Sequence, residues 1–295
     1  MPPAQCNEMS ALTLLALAGI GPRGSWKKLS AEAFTIHRIL AAIGKLHGRV
    51  YAENTRETVR RQVIHQFVQA AIVERNPDDP SLATNSPRTH YRLTPEVAEV
   101  LRQYGSKTWT GAVRLFSSNQ AALLERYSRI RERHLVPLRL PTGEMFALSP
   151  GMHNTLQARI VEEFAPRFAP GSTLLYLGDS SSKELILESA KLDAIGFSLP
   201  RGGKLPDVVL VDGSESVIFL IEAATTHGPV TPKRRVELEE MLARCELARA
   251  YVSAFPSFAE FKKFARDIAW ETDVWVAEIP EHLIHYNGGE LQFDA

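Results

Sequence analysis

Two cysteines, Cys6 and Cys245, are all that 295 residues contain. That scarcity excludes a disulfide framework and a thiolate zinc cluster, and it fits a reducing, cytoplasmic location. Net charge is also lacking: 34 Lys and Arg balance 34 Asp and Glu, so the chain has no overall basic signature of a nucleic-acid binder. The apolar run from Ala11 to Ile20 is too short to span a bilayer. No basic segment precedes it, so neither a membrane anchor nor a secretory signal is expected. Internal repeats and low-complexity tracts are missing as well, which argues against solenoid and fibrous architectures.

What is present is a charge asymmetry that the total conceals. Residues 1–135 hold nineteen Lys and Arg against eleven Asp and Glu, a balance of +8, and residues 136–295 hold fifteen against twenty-three, a balance of −8. A basic half can attract phosphates while an acidic half supplies metal-binding carboxylates. The length accommodates two domains, and the proline-bearing segment from Leu135 to Thr142 marks the expected junction, giving domains 1–138 and 139–295.

In the first half, helical periodicity runs through Ala11 to Ile20 and Ala31 to Leu46. Asn54 and Thr55 provide cap chemistry for a helix from Arg56 to Val73. Val59, Val63, Phe67 and Ala70 share one face of it, and Thr58, Arg61, Gln62 and His65 the opposite one. Arginine and glutamine reach guanine and adenine edges in a major groove. Two short apolar segments follow, Ile72 to Arg75 and Thr89 to Leu93, around a polar tip that carries Arg88. A helix from Pro95 to Tyr104 comes next, and another from Asn119 to His134. Helix, wing and helix resemble a winged helix-turn-helix module, with Thr58, Arg61, Gln62, His65 and Arg88 as candidate DNA contacts. A solvated polar helix face or a protein-docking module is the bland alternative.

The second half reads as helices alternating with buried strands, an α/β (α+β overall) pattern that implies a mixed sheet flanked by helices. Its strongest signal lies between Leu205 and Val230. A strand from Val208 to Val211, an Asp212-Gly213-Ser214 turn and a strand from Val217 to Ala223 form a hairpin. Antiparallel pairing sets Asp207, at the start of the first strand, against Glu222, near the end of the second. Two carboxylates at the end of apolar strands repel unless a cation lies between them, and oxygen ligands suit Mg²⁺.

Pro206-Asp207 with Glu222 on the next strand resembles the PD-(D/E)XK nuclease motif. The longer strings LGDSSSK, KLPDVVLVD, FLIEAATTHGPVTPKRRVELEEML, YVSAFPSFAEFKKFARDIAWETDVWVAEIP and IHYNG are similar to the BsuBI/PstI family of type II restriction endonucleases, from about residue 145 to 293. RETVRRQVIHQFVQAAIVERNP and SPRTHYRLTP resemble that family's winged-helix domain. The resemblance implies Mg²⁺-dependent cleavage of both strands of double-stranded DNA at a palindrome, CTGCAG-like, with a 3′ overhang. It also implies a homodimer, in which each subunit cuts one strand, and a cognate DNA methyltransferase to protect the host genome. Two other readings stay open: a DNA-binding protein whose nuclease half has decayed, and a structure-specific repair nuclease.

By the hairpin and the resemblance, Asp207 and Glu222 are the expected metal ligands, with the Ala223 carbonyl as a third. The motif lysine, two positions after the Glu, is replaced by Ala224, so a cation must come from elsewhere if the site is active. Lys183 is the first candidate, Lys233 the second, with Arg234 beside it at the same edge, and Lys204 the third. Asp179 is either a further ligand or a turn acceptor. His153 and Glu163 are possible helpers. His227, Arg234 and Arg235 are expected to contact DNA, whereas Lys262, Lys263 and Arg266 read as a solvated helix face.

Overall fold

The computed structural model describes residues 6–52, 54–82, 86–179, 185–198, 204–214, 216–225 and 228–286, the side chains of 130 and 131 excepted. The chain divides into two compact units, Met1–His134 and Leu135–Ala295. Among the described residues no helix is long and apolar enough to cross a membrane.

The first unit runs α1 (Glu8–Leu17), β1 (Phe34–Thr35), α2 (Ile36–His47), α3 (residues 55–69), β2 (Val73–Arg75), β3 (His90–Leu93), α4 (Pro95–Arg102) and α5 (Trp109–Glu132). Gly48 takes the left-handed conformation that ends α2 (φ 69°) and turns the chain toward α3. Val59, Val63, Ile64 and Phe67 of α3 join Ile39 and Ile43 of α2 in one apolar core. The strands pair in the order β1-β3-β2, and β2 and β3 are the antiparallel arms of a wing, tied by an Arg92–Glu74 ion pair at 2.8 Å. This is the winged helix-turn-helix that the sequence predicts.

Details of this half differ from the expectation, and its last helix begins at Trp109, ten residues before the expected Asn119. Asn54 makes no capping hydrogen bond through its side chain. Residues 59–64 of α3 widen into a π-helical turn, which brings Ile64 into the core beside Val63. The helix stops short of Val73 because Ala71 adopts a left-handed φ of 55° and the Ile72 amide closes back on the Phe67 carbonyl at 2.9 Å. The wing strand begins two residues later.

The second unit opens with a two-stranded hairpin, β4 (Val136–Arg139) with β5 (Met145–Leu148). The stretch that reads as a junction, Leu135 to Thr142, therefore contains a strand. Pro137 lies within it, on a two-stranded ribbon where a missing amide donor is tolerated. Helix α6 follows (residues 152–168), with a π-helical turn at Ile160–Phe164.

The main sheet has seven strands in the order β12-β11-β10-β9-β8-β6-β7. They are β6 (Thr173–Leu177), β7 (Ile186–Leu187), β8 (Val208–Asp212), β9 (Val217–Ala223), β10 (Ala248–Phe255), β11 (Thr272–Val276) and β12 (Leu283–Tyr286). β8 and β9 pair antiparallel with Val208 opposite Ile221 and Asp212 opposite Val217. β9, β10 and β11 are parallel, so each step needs a crossover, made by α8 (Pro232–Met241) and α9 (Phe258–Phe264). A further helix, α7 (Ser189–Ala194), lies between β7 and β8 in the chain.

One face of this sheet packs on α6 through Leu156, Ile160, Phe164, Val208, Ile221 and Trp275. The other carries two clusters. Leu192, Val209, Leu220, Leu238 and Met241 form the first, and Ala224, Phe255, Ile268, Val274 and Val276 the second. The period of two along β9 puts Ile218, Leu220 and Glu222 on this second face. Glu222 thus sits where the two apolar clusters meet.

Candidate active site

The register of the hairpin brings Asp207 and Glu222 together at the end of β9. Val208 is opposite Ile221, and one step outward the Asp207 carboxylate accepts the Ala223 amide proton at 2.8 Å. The Asp207 carbonyl accepts from Gly178 at 3.2 Å and from Gln157 Nε2 at 3.4 Å, which anchors this turn to the end of β6 and to α6. Gln157 is 1 % exposed. It was not singled out by sequence, although an amide among the apolar residues Leu156, Ala158 and Ile160 is a usable signal, since a buried amide needs a partner.

Glu222 is almost fully enclosed, with 2 % of its side chain exposed, and among the described residues two cations meet it. Arg234, in the first turn of α8, donates from Nε to Oε1 at 2.8 Å, and Lys204 Nζ stands 3.4 Å from Oε2. Burial, and then the charge of Asp207, push Glu222 up to about 7 despite the pull of Arg234 and Lys204. Asp207 is raised too, chiefly by burial, with Lys204, the Ala223 amide and Arg234 opposing. Both carboxyl groups are thus shifted in the direction expected of two acids buried side by side.

His153, at the start of α6, completes the edge. Its Nδ1 lies 3.1 Å from the Ala223 carbonyl and its Nε2 3.6 Å from Asp207. Burial is the main cause that holds this imidazole below its usual range. The hydrogen bond to Ala223 uses one lone pair of the carbonyl expected as a third ligand.

The other predicted residues divide sharply. Asp179 is at the same sheet edge, but its carboxylate accepts from the Ser149 amide and hydroxyl, each at 2.8 Å, and from Asn154 at 2.6 Å. These partners lie 25 and 30 residues away, so Asp179 ties the end of β6 to the segment that enters α6 and is not the acceptor of a local turn. Glu163 is held by Arg159 at 2.6 Å and does not join the site. Lys233 does not reach Glu222: its side chain is 88 % exposed and its nearest acidic partner is Glu237 at 3.9 Å, because it faces outward on α8. Arg234, expected on a phosphate, is instead buried between Glu222 and Glu237. Arg235 donates to the Trp270 carbonyl and to Glu271. Lys262, Lys263 and Arg266 are exposed on and just beyond α9. Lys183 and His227 lie outside the described residues.

Ala224 is fully buried in the apolar cluster with Phe255 and Val276. The position where the motif has its lysine is thus sealed on this strand, and the positive charge arrives from outside it.

In the first unit, Arg61, Gln62 and His65 are exposed along α3, Thr58 is half-buried, and Arg88 is exposed on the wing. Glu57 draws both Arg60 and Arg61 onto itself, at 2.7 and 2.5 Å. Hydrogen bonding from Arg60 leads the causes that lower its carboxyl to about 2.

Residues 136–289 match the model of the BsuBI/PstI restriction endonuclease domain, and residues 1–125 match the BsuBI/PstI restriction endonuclease HTH domain. The chain belongs to the BsuBI/PstI restriction endonuclease family. It is 37 % identical to the type II restriction enzyme BsuBI of Bacillus subtilis over 288 residues, 98 % of this chain and 91 % of that one. It is 25 % identical to the type II restriction enzyme AplI of Arthrospira platensis over 300 residues, 99 % and 92 % of the two chains. Among solved structures it is similar to the SdaI restriction endonuclease, with a TM-score of 0.54 and 32 % identity, covering 100 % of this chain and 92 % of that one. Membership joins the winged helix and the two-carboxylate edge into one enzyme.

Proposed function

We propose that this restriction endonuclease hydrolyses both strands of duplex DNA at a short palindrome, using Mg²⁺ held by Asp207 and Glu222. The observation that carries the metal assignment is the pair of buried carboxyl groups on adjacent strands, brought together where β8 begins and β9 ends, both raised. Among the described residues no group of three His, Cys, Asp or Glu forms a metal cluster. Mg²⁺ does not require one, since it is commonly held by one or two carboxylates with waters and substrate phosphate oxygens. Asp207 and Glu222 fit that donor set, and the Ala223 carbonyl has a second lone pair to offer.

When bound, the ion polarises a phosphoryl oxygen and acidifies a water. The chain's own residues do the rest. The Ala223 amide fixes one Asp207 oxygen, Arg234 fixes one Glu222 oxygen, and the apolar clusters on either side of Glu222 keep the edge poor in water, where electrostatic stabilisation is strongest. Exposed Arg61, Gln62, His65 and Arg88 suit the winged helix to duplex DNA.

A CTGCAG-like palindrome, a homodimer with one cut per subunit, a protecting methyltransferase and a cytoplasmic setting complete the reading. Incubating the purified protein with plasmid and Mg²⁺, then sequencing the fragment ends, tests it. Discrete fragments sharing one palindromic end sequence are expected. Random nicking, cutting confined to branched DNA, or site-specific retention without cleavage contradicts it.

A further inference from the structure

We infer that Lys204 supplies the catalytic cation that this strand lacks at Ala224, with Arg234 as the positioning residue that holds Glu222 for it. The inference rests on the reading of Asp207 and Glu222 as the hydrolytic site.

Among the described residues two positive groups touch Glu222, and they differ in the property that decides their roles. Arg234 is 9 % exposed and committed twice, to Glu222 Oε1 at 2.8 Å and to Glu237 at 3.0 Å. A guanidinium fixed in that way holds an orientation and has little freedom to follow a substrate. Lys204 is 56 % exposed and, among the described residues, makes one long contact, 3.4 Å to Oε2. Oε2 is the oxygen that Arg234 leaves free. Lys204 also stands three residues before Asp207 on the segment that enters β8, so the chain itself ties the ammonium to both acids. Lys233 faces away, and position 224 has no room for a long polar side chain.

In the step proposed, a water oxygen forms a bond to phosphorus and the P–O3′ bond breaks, its electron pair staying on O3′. The attacking water releases a proton to solvent and O3′ takes one from solvent, so one water is divided between a 5′-phosphate and a 3′-hydroxyl. Lys204 keeps its proton throughout and donates to a non-bridging phosphoryl oxygen as negative charge develops there.

The test compares Lys204→Ala, Lys204→Arg, Lys183→Ala and Asp207→Asn in the full-length protein. Single-turnover cleavage is measured with Mg²⁺ at saturating DNA, and DNA affinity with Ca²⁺ as a non-reactive probe. The expected result is a loss of about 100-fold or more in rate for Lys204→Ala. Its affinity in Ca²⁺ changes by less than about threefold, because an exposed single contact contributes little to binding. Lys204→Arg recovers at least a tenth of the rate, which a purely structural role does not predict. Near wild-type turnover of Lys204→Ala, or loss of turnover with intact affinity in Lys183→Ala alone, overturns the assignment of Lys204 and leaves the site reading intact. Full activity of Asp207→Asn overturns the site reading itself. Because Lys204 is exposed, its variants should melt with the wild type; a melting point lowered together with the rate, and not restored by Arg, also overturns the assignment.

Discussion

Arg234 Nε and Glu222 Oε1 stand 2.8 Å apart, both side chains at least nine-tenths enclosed. Removing one partner of such a pair strands the other charge, a cost of about 3–5 kcal/mol. Arg234→Met should therefore lower unfolding stability by that order, and Arg234→Lys by less. Urea denaturation checks it. If Arg234 were a phosphate contact, stability would hold while DNA affinity fell.

Restoring the missing motif lysine should fail. Ala224 is enclosed by Phe255, Ile268, Val274 and Val276, so Ala224→Lys forces an ammonium into an apolar cluster beside a packed sheet. A melting point lowered by several degrees and no gain in cleavage rate are expected. A faster and equally stable Ala224→Lys enzyme would show that the position opens toward the site.

Glu222, raised from 4.5 to about 7, gives a pH dependence with a definite sign. Between those values the folded state keeps a proton that the unfolded state has lost, so this group's contribution to stability falls as pH rises through the window. A divalent ion must displace that proton. Apparent affinity for Mn²⁺ or Ca²⁺ should climb by up to about tenfold per pH unit below 7 and level off above it. Titration calorimetry at several pH values measures this, and a flat profile from pH 5 to 8 contradicts it.

The charged face of α3 makes a separate prediction. Glu57 holds Arg60 and Arg61 in the DNA-free protein. Glu57→Gln releases both and removes a negative charge from the helix face proposed to meet DNA, so non-specific DNA affinity should rise severalfold with a steeper salt dependence. Unchanged binding at low salt would place this face away from DNA.

How far the sequence speaks is clearest along the hairpin. Continuous apolar strands, an Asp-Gly reversal and an acid at each outer end specify strand, register and site together, because a slip of one residue would turn Glu222 to the opposite face. The winged helix was legible for a similar reason, an apolar face on α3 followed by short strands around a polar tip. Harder to read were elements whose signal is short or mixed. β7 has only Ile186–Leu187, and β12 only Leu283–Tyr286. β4 contains a proline and so resembled a linker. The π-helical turns at 59–64 and 160–164 shift a helical face by one residue with no marker in composition. The choice among the candidate cations was also hard to read. Lys233 and Arg234 are adjacent in the chain, and only the rotation of α8 decides that Arg234 faces Glu222 while Lys233 faces solvent. Lys204 gave no stronger signal than its proximity to Pro206-Asp207.

The most direct measurement is cleavage of duplex DNA by Asp207→Asn and Glu222→Gln, scored beside site-specific binding of the same variants. The account predicts that each abolishes cutting under Mg²⁺ while retaining the DNA sequence it selects. Cutting by either variant at close to the wild-type rate would contradict it.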